Sequence, residues 1–344
     1  MPAPPSRSLP VALTMGDACG VGPEIIAKLF REPTSAGCFV LGDLGVMRRA
    51  AAAVGGMLPV ARIEQPADAL RVPPNCVPVL TVAGLPPDLL DAPIGRIDAR
   101  AGAAAARCIE EAVVLARSGA IGAIVTAPIH KEALAAAGIG YPGHTEMLQA
   151  LAAADGAALP AVRMMLANDE LRTVLVTIHM SLRRAIEEVT YDAVLQTLRI
   201  AHASAARWGQ HAPRIAVAGL NPHAGEGGLF GDEEIRIIEP AVRAAVAEGI
   251  NARGPYAPDT VFMRARARNG APGEFDVVVA MYHDQGLIPV KYLGVEKGVN
   301  VTLGLPFVRT SPDHGTAFDL AGTGRADSSS MMAALRMARQ LMSA

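Results

Sequence analysis

Three histidines share one sequence context. Each lies just past an apolar run rich in β-branched residues: Val174-Leu-Val-Thr-Ile-His179, Ile215 through Asn221-Pro-His223, and Val277 through Tyr282-His283. A strand buried on both faces that breaks abruptly into polar residues presents them at its carboxyl end, where ligands collect in open α/β sheets. Imidazole is the commonest protein ligand for transition metals, and a three-histidine set leaves positions open for substrate or water. Any one of the three alone reads better as a polar loop residue; the repeated placement makes a metal site an equal alternative. His130 also follows a strand and competes as a ligand, whereas His202 and His211 fall on or beside a helix and read as solvent-facing. No H-E-x-x-H spacing occurs, so a metal site would be assembled from distant segments or from two subunits.

The third histidine opens a stretch dense in polar groups: His283-Asp284-Gln285-Gly286, then Lys291, Asn300 and Arg309. A cation, an amide and a second cation on turns around one strand end predict a site for an anionic, hydroxylated small molecule. His144-Thr145, within Tyr141-Pro-Gly-His-Thr-Glu146, opens a helix. Thr145 reads there either as its N-cap or as part of an anion site, since the free amides of a helix start point outward. Lys131 and Arg309 each read as a surface charge or an anion contact, and the apolar run 303–308 before Arg309 argues against a surface place for it.

The elements that must position these groups alternate. Residues 11–15 read as a strand ending in a glycine loop, with Pro23 in the first turn of a helix through Ile25 and Leu29. The loop glycines fall at 16, 20 and 22, which is not the G-x-G-x-x-G spacing, so the loop reads as a place of close approach to a ligand or a neighbour. Strands are predicted at 39–41, around Val60 and Val79, and at 123–126, 163–166, 173–177, 214–220 and 276–281. Helices are predicted through Met47 and Ala53, over 98–118, after His144, over 191–208, from about Asp232 with a kink at Pro240, and over 328–342. No period of 20 to 50 residues repeats. Strand and helix in alternation predict an α/β protein: two α/β/α domains flanking a cleft, with parallel sheets. One domain would comprise residues 1–130 and 301–344, the other 131–300.

Composition bounds the partners. The chain has 344 residues, 51% of them hydrophobic, enough for two domains with real cores. A net charge of -2 and 4% aromatic residues exclude a basic footprint and a stacking platform, so nucleic acid is not an expected partner. No charge-free run approaches the ~20 residues of a spanning helix, and the first ten residues have no apolar core of a signal peptide. No membrane partner and a cytoplasmic location are expected. Cys19, Cys38, Cys76 and Cys108 lack C-x-x-C spacing and are expected as free thiols.

With these residues assembled, the chain resembles the 4-hydroxythreonine-4-phosphate dehydrogenase family of vitamin B6 biosynthesis. The likeness runs through Gly20-Val-Gly-Pro-Glu24, Thr126-Ala-Pro-Ile-His-Lys131, Gly143-His-Thr-Glu146, Asn221-Pro-His-Ala-Gly-Glu226, Met281-Tyr-His-Asp-Gln-Gly286, Gly298-Val-Asn-Val-Thr-Leu-Gly304, Arg309-Thr-Ser and Asp313-His-Gly-Thr-Ala317. It implies a non-Rossmann fold like that of isocitrate and isopropylmalate dehydrogenases, and a homodimer with active sites shared between domains and subunits. It also implies a divalent metal (Zn, Mg, Co or Mn) held by His179 and His223 with His283 of the other subunit. Substrate would be held by Lys131, His144, Thr145, Lys291, Asn300 and Arg309. NAD or NADP would bind at a loop comprising His314, Gly315, Thr316, Ala317, Asp319 and Gly322. The implied reaction is oxidation of 4-phosphooxy-L-threonine at C3 followed by decarboxylation, with Lys291 and Asp284 as candidates for the proton relay. The first loop has Met15-Gly-Asp-Ala-Cys19 where the biosynthetic enzymes more often carry Pro-Gly-Glu-Pro-Ala. That departure resembles a sister group acting on D-threonate or D-erythronate 4-phosphate, and leaves the substrate open between the two.

Overall fold

The computed structural model describes residues 9–141, 143–153, 158–205, 212–268, 270–294 and 297–342; Pro142, Trp208 and His211 fall outside them. In chain order come β1 (Val11–Thr14), α1 (Gly22–Leu29), β2 (Cys38–Gly42), α2 (Leu44–Ala53), β3 (Val60–Ile63), β4 (Val77–Thr81), α3 (Ala99–Arg117), β5 (Ala123–Thr126), α4 (Lys131–Ala136) and α5 (His144–Ala152). There follow β6 (Arg163–Ala167), β7 (Arg172–Leu175), α6 (Leu182–Glu188), α7 (Tyr191–Ala205), β8 (Ile215–Ala218), α8 (Glu239–Ala247), β9 (Ala252–Tyr256), α9 (Pro258–Ala265), β10 (Val277–Ala280), α10 (His283–Tyr292) and β11 (Val299–Leu303). The chain closes with β12 (Val308–Pro312) and α11 (Ser329–Met342).

The chain divides into two compact units, Met1–Pro160 with Leu305–Arg339, and Ala161–Gly304 with Gln340–Ala344. The crossing expected near residue 130 lies near 160, and the cause is local. A Cβ on Gly102 of α3 would stand 2.0 Å from the Ala133 carbonyl oxygen, so α4 lies backbone to backbone on α3 and stays with the first unit. Arg117 at the end of α3 likewise donates to the Leu151 and Ala153 carbonyls (3.2 and 3.3 Å), tying down the end of α5.

In the first unit the strands run β3-β4-β2-β1-β5-β12, all parallel, which is not the strand order of a Rossmann sheet. Every residue of β1, β2 and β5 is buried. α3 starts where Asp98 accepts from Arg100 N (2.9 Å), and it buries Ala101, Ala104, Ala105, Cys108, Ile109 and Ala112 along one stripe.

In the second unit the order is β11-β6-β7-β10-β8-β9. Here the expectation of a parallel sheet fails in part, because β6 is antiparallel to both β7 and β11. Asn168 explains the first reversal. Its Oδ1 accepts from the amides of Glu170 and Leu171 (2.9 and 2.8 Å), closing a turn far too short for a parallel crossover. β7, β10 and β8 remain parallel, with Val174 and Val217 both opposite Val279. The segment after β10, read from sequence as turns, is the helix α10. Gly286 lets it lie directly on the sheet, where a Cβ would come within 2.4 Å of Leu175 Cδ2. Lys291 is therefore on a helix, and Asn300 and Arg309 sit within strands rather than on turns. The kink expected at Pro240 is a π-helical turn, Glu234–Ile238, running into α8 with Pro240 in its first turn.

Candidate active site

In the second unit the carboxyl ends of β7, β10 and β8 lie side by side, and each leads to one of the three histidines. Pairing continues past the strand ends: Val176 N donates to Ala280 O (2.9 Å), and both the amide and hydroxyl of Thr177 donate to Met281 O (3.2 and 2.8 Å). Gln285 ties the third strand in, accepting from Met281 N and donating to Gly219 O, both at 2.7 Å. The result is that the His179 and His283 rings stand 5.5 Å apart, centre to centre, tilted by 45°.

That separation fits two ligands of one ion. With a metal–nitrogen distance of about 2.1 Å and a ring centre about 1.1 Å further on, two imidazoles at a tetrahedral angle have centres about 5.2 Å apart. His283 Nδ1 lies 2.7 Å from Asp284 Oδ1. A carboxylate beside Nδ1 accepts from it and turns Nε2 away, the arrangement of a metal-binding histidine oriented by a carboxylate. Asp284 is thus occupied in orienting His283, which leaves Lys291, exposed in the last turn of α10, as the stronger candidate for the proton relay. The resemblance had implied His223 as the companion of His179 within one chain; the ring beside His179 is that of His283. Among the described residues no three His, Cys, Asp or Glu side chains of one chain gather to hold a metal.

His223 is presented differently, exposed and with its ring 5.9 Å from that of Phe230. Residues 223–227 have φ of 54°, 53°, 77°, 41° and 68°, a left-handed turn in which only Gly225 and Gly227 are glycine. Left-handed backbone costs an L-residue roughly 1–2 kcal/mol, so His223, Ala224 and Glu226 are held there by their surroundings.

The first unit gathers the second set. Arg309 on β12 is 4% exposed, and its Nη2 donates to Thr126 Oγ1 at the end of β5 (2.7 Å). Burial lowers the Arg309 pKa to about 10, still charged at neutral pH. His144 is half-buried, yet its Nε2 is shut from solvent with no hydrogen-bond partner. Burial first, and the positive charge of Arg309 second, hold its pKa well below the ordinary 6.5. A guanidinium on β12, an imidazole at the start of α5 and a hydroxyl at the end of β5 are the chemistry that would hold an anion. Thr145 is not the cap of α5. Gly143 occupies that position without a side-chain bond, leaving the first-turn amides open, and Thr145 and the exposed Lys131 flank the same segment. His130, the competing ligand, caps α4 by accepting from Glu132 N (3.3 Å) and stacks on Phe318 at 4.9 Å.

The loop 314–324 is laid on the glycine loop of the first unit. Val21 N donates to Thr316 O (2.9 Å), and a Cβ on Gly20 would meet Thr316 Cβ at 2.9 Å, which is the close approach expected of that glycine. The buried Glu24 carboxylate accepts from the amides of Gly322 and Gly324. Thr316 faces inward and Ala317 has φ 42°, while His314, Gly315, Asp319 and Gly322 are exposed on the outer side. Exposed backbone together with one carboxylate, Asp319, is donor and acceptor chemistry that fits a nucleotide's ribose.

Sequence reading missed the supporting residues. Glu24 was visible only inside the Gly-Pro-Glu motif and Thr126 only at the head of Thr-Ala-Pro; Gln285 stood in the polar cluster without a role. Asp17 is 1% exposed, with Oδ1 accepting from Cys19 N (2.8 Å) and Oδ2 unpartnered; burial raises its pKa to about 6. A concavity of about 810 Å³ lies elsewhere. It is lined by residues 168–172, 265–268, 270–273, 275 and 276 at the opposite ends of β7 and β10, and none of the three strand-end histidines is among them.

Fold and site together define an α/β enzyme of two units with its reactive groups at parallel strand ends. Residues 34–338 match the family described as pyridoxal phosphate biosynthetic protein PdxA. The chain is 57% identical to 4-hydroxythreonine-4-phosphate dehydrogenase of Beijerinckia indica, over 96% of this chain and 95% of that one. It is 46% identical to D-threonate 4-phosphate dehydrogenase of Salmonella typhimurium, over 96% and 98%. The crystal structure of 4-hydroxythreonine-4-phosphate dehydrogenase from Klebsiella pneumoniae superposes with a TM-score of 0.86 at 43% identity, covering 97% of this chain and all of that one. The protein belongs to the PdxA family and is a dehydrogenase.

Proposed function

We propose that this protein oxidises 4-phosphooxy-L-threonine at C3, with NAD or NADP as hydride acceptor, to a β-keto acid that loses its carboxylate as carbon dioxide, in the synthesis of pyridoxal phosphate. The observation that carries the reading is the 57% identity to a relative of that name across nearly the whole of both chains. The buried Arg309 and Thr126 and the half-buried His144 supply the chemistry to hold an anion, with Thr145 and Lys131 beside them. Asn300 would hold a substrate hydroxyl, and Lys291 would exchange the proton of the reacting alcohol.

His179 and His283, completed by His223, are the groups that would hold a divalent ion, and their imidazoles favour Zn or Co over Mg or Mn. Such an ion would supply Lewis acidity to the oxygen at C3, and the nicotinamide, held along 314–322, an acceptor for the hydride. Asp284 keeps His283 in the tautomer that binds. We place the working enzyme as a homodimer in which His223 reaches the site of a second copy. Exposed apolar side chains close in sequence to the histidines support this: Met180, Leu182 and Ile186, Leu229 and Phe230, Ile288 and Tyr292. No helix among the described residues is long and apolar enough to cross a membrane, and the four buried free cysteines fit a reducing, cytoplasmic setting.

A second reading has its own support. The 46% identical relative acts, by its name, on D-threonate 4-phosphate, and the Gly16-Asp17 of the first loop resembles the pattern of that sister group. Nicotinamide absorbance with 4-phosphohydroxythreonine, D-threonate 4-phosphate and D-erythronate 4-phosphate, each with added metal, separates the two. Turnover of none of them would overturn both.

A further inference from the structure

The left-handed turn that carries His223 is held from one direction. Glu234, 3% exposed, stands at the start of the π-helical turn. Its Oε1 accepts from the backbone amides of Leu220 and Asn221, both at 2.7 Å, where the chain leaves β8. Its Oε2 accepts from Asn221 Nδ2 (2.9 Å), which also donates to Glu233 Oε2 (2.7 Å). The Asn221 carbonyl in turn accepts from Ala224 N (3.1 Å), one residue past the histidine. Two glycines are shaped to this carboxylate: a Cβ on Gly225 would lie 2.7 Å from Oε2, and one on Gly219 would lie 3.1 Å from Oε1. A short left-handed run of L-residues does not persist by itself, and the Glu234 carboxylate bonds the backbone amides that lead into this one.

We propose that Glu234 is a positioning residue for His223: with Asn221 it braces the left-handed turn that aims this imidazole at the metal. The inference rests on the metal reading given above. A carboxylate is required because all three hydrogens that reach it belong to donors. Gln at this position would present an amide nitrogen to one of those donors, and a hydrogen bond would become a repulsion at nearly unchanged volume. Outer groups that orient a metal ligand commonly control affinity for the metal without touching it.

The test is metal binding by the full-length protein, stripped with a chelator and titrated with cobalt(II), read by the visible ligand-field spectrum and by competition for affinity. Glu234→Gln should weaken cobalt binding by about ten- to a hundred-fold. Its spectrum at saturating cobalt should differ from wild type, while KM for the nucleotide stays close to wild type. Gly225→Ala presses on the same carboxylate from the side of the turn and should act in the same direction, so it decides the matter should Glu234→Gln not fold. A merely structural role for Glu234 would lower the melting temperature but leave the saturated spectrum unchanged, and that result overturns the proposal. His223→Ala separates the two levels. Full cobalt affinity in that variant overturns the metal reading at His223 and the brace with it. Lost affinity in His223→Ala beside wild-type affinity and spectrum in Glu234→Gln overturns the brace alone.

Discussion

If His179 and His283 are two ligands from one chain, as their 5.5 Å ring separation indicates, and His223 is the third from a second copy, mixed dimers must obey a rule. A two-fold dimer holds two sites, each built from one chain's His179–His283 pair and the other chain's His223. In a hybrid of His179→Ala with His223→Ala, one site receives both lesions and the other receives none. Each hybrid should retain one working site, about half the activity of a wild-type dimer, and unselected co-expression, in which about half the dimers are hybrids, about a quarter. A hybrid of His179→Ala with His283→Ala damages one member of the pair in each chain. Both of its sites lack a ligand, and no activity should return.

The assay is co-expression with two different affinity tags, purification of hybrids on both, and measurement of nicotinamide reduction together with bound metal. The first cross should carry about one tightly bound ion per dimer where wild type carries about two, by the same allocation. Recovery in the cross of His179→Ala with His283→Ala would refute the assignment of these two residues to one chain, and would restore the division in which His283 is the residue supplied across the interface. No recovery in either cross, with hybrids shown to form, would refute a shared site while leaving the dehydrogenase in place.

Three further outcomes are expected. Arg309→Ala should raise KM for the phosphorylated substrate about ten- to a hundred-fold, the equivalent of a charge-assisted hydrogen bond of about 1.5–3 kcal/mol, with KM for the nucleotide little changed; equal rises would indicate damaged folding instead. Asp17 has a folded pKa raised from 3.8 to about 6, so its contribution is fully present below pH 3.8 and lost as pH rises through 6. A shift of about two units at about 1.36 kcal/mol each means that Asp17→Asn should stabilise the protein by up to about 3 kcal/mol at pH 8 and by little near pH 4, read by urea unfolding at both; no gain at pH 8 counts against the shift. His144 has the opposite linkage, its pKa held below 6.5, so its contribution is present above pH 6.5 and lost as pH falls beneath it. His144→Gln should therefore lose less stability than wild type between pH 7 and pH 5, and an equal loss would show that the imidazole is not buried neutral.

The parts of the fold that were legible are those where a local pattern and the tertiary environment agree. Val277–Ala280 reads as a strand because its apolar residues are buried on both faces, and Ala99–Arg117 reads as a helix because alanine propensity and an Asp98 cap point the same way. Where they disagree, sequence reading failed. Gly286 and Pro289 weaken the helical pattern of 283–292, yet the helix forms because a glycine is what lets it contact Leu175 and Ala280. The Asn168 turn that reverses β6 against β7 has a sequence signal, but alternating elements drew the reading toward parallel pairing. The domain crossing was illegible for a different reason: it is set by the backbone contact of Gly102 with Ala133, between two helices whose sequences carry no mark of each other.

The site divides along the same line. A group that could react or ligate is announced by its own chemistry and by its place after a strand, so His179, His223 and His283 could be proposed as ligands with no structure. A group that only holds another in place can be any residue that completes a hydrogen bond, and its place in sequence is free. Asp284 was found because it is adjacent to His283, whereas Thr126 lies 183 residues from Arg309, and Glu234 bonds Leu220 and Asn221, 14 and 13 positions upstream. Such residues are often the costlier ones to lose, because removing one partner leaves a buried group unsatisfied instead of simply deleting a contact. The region of this protein sensitive to mutation should therefore extend well beyond its ligand-binding motifs, to Glu24 behind the loop 314–324, Gln285 between β10 and β8, and Glu234 beneath His223, none of which need touch the molecules that bind.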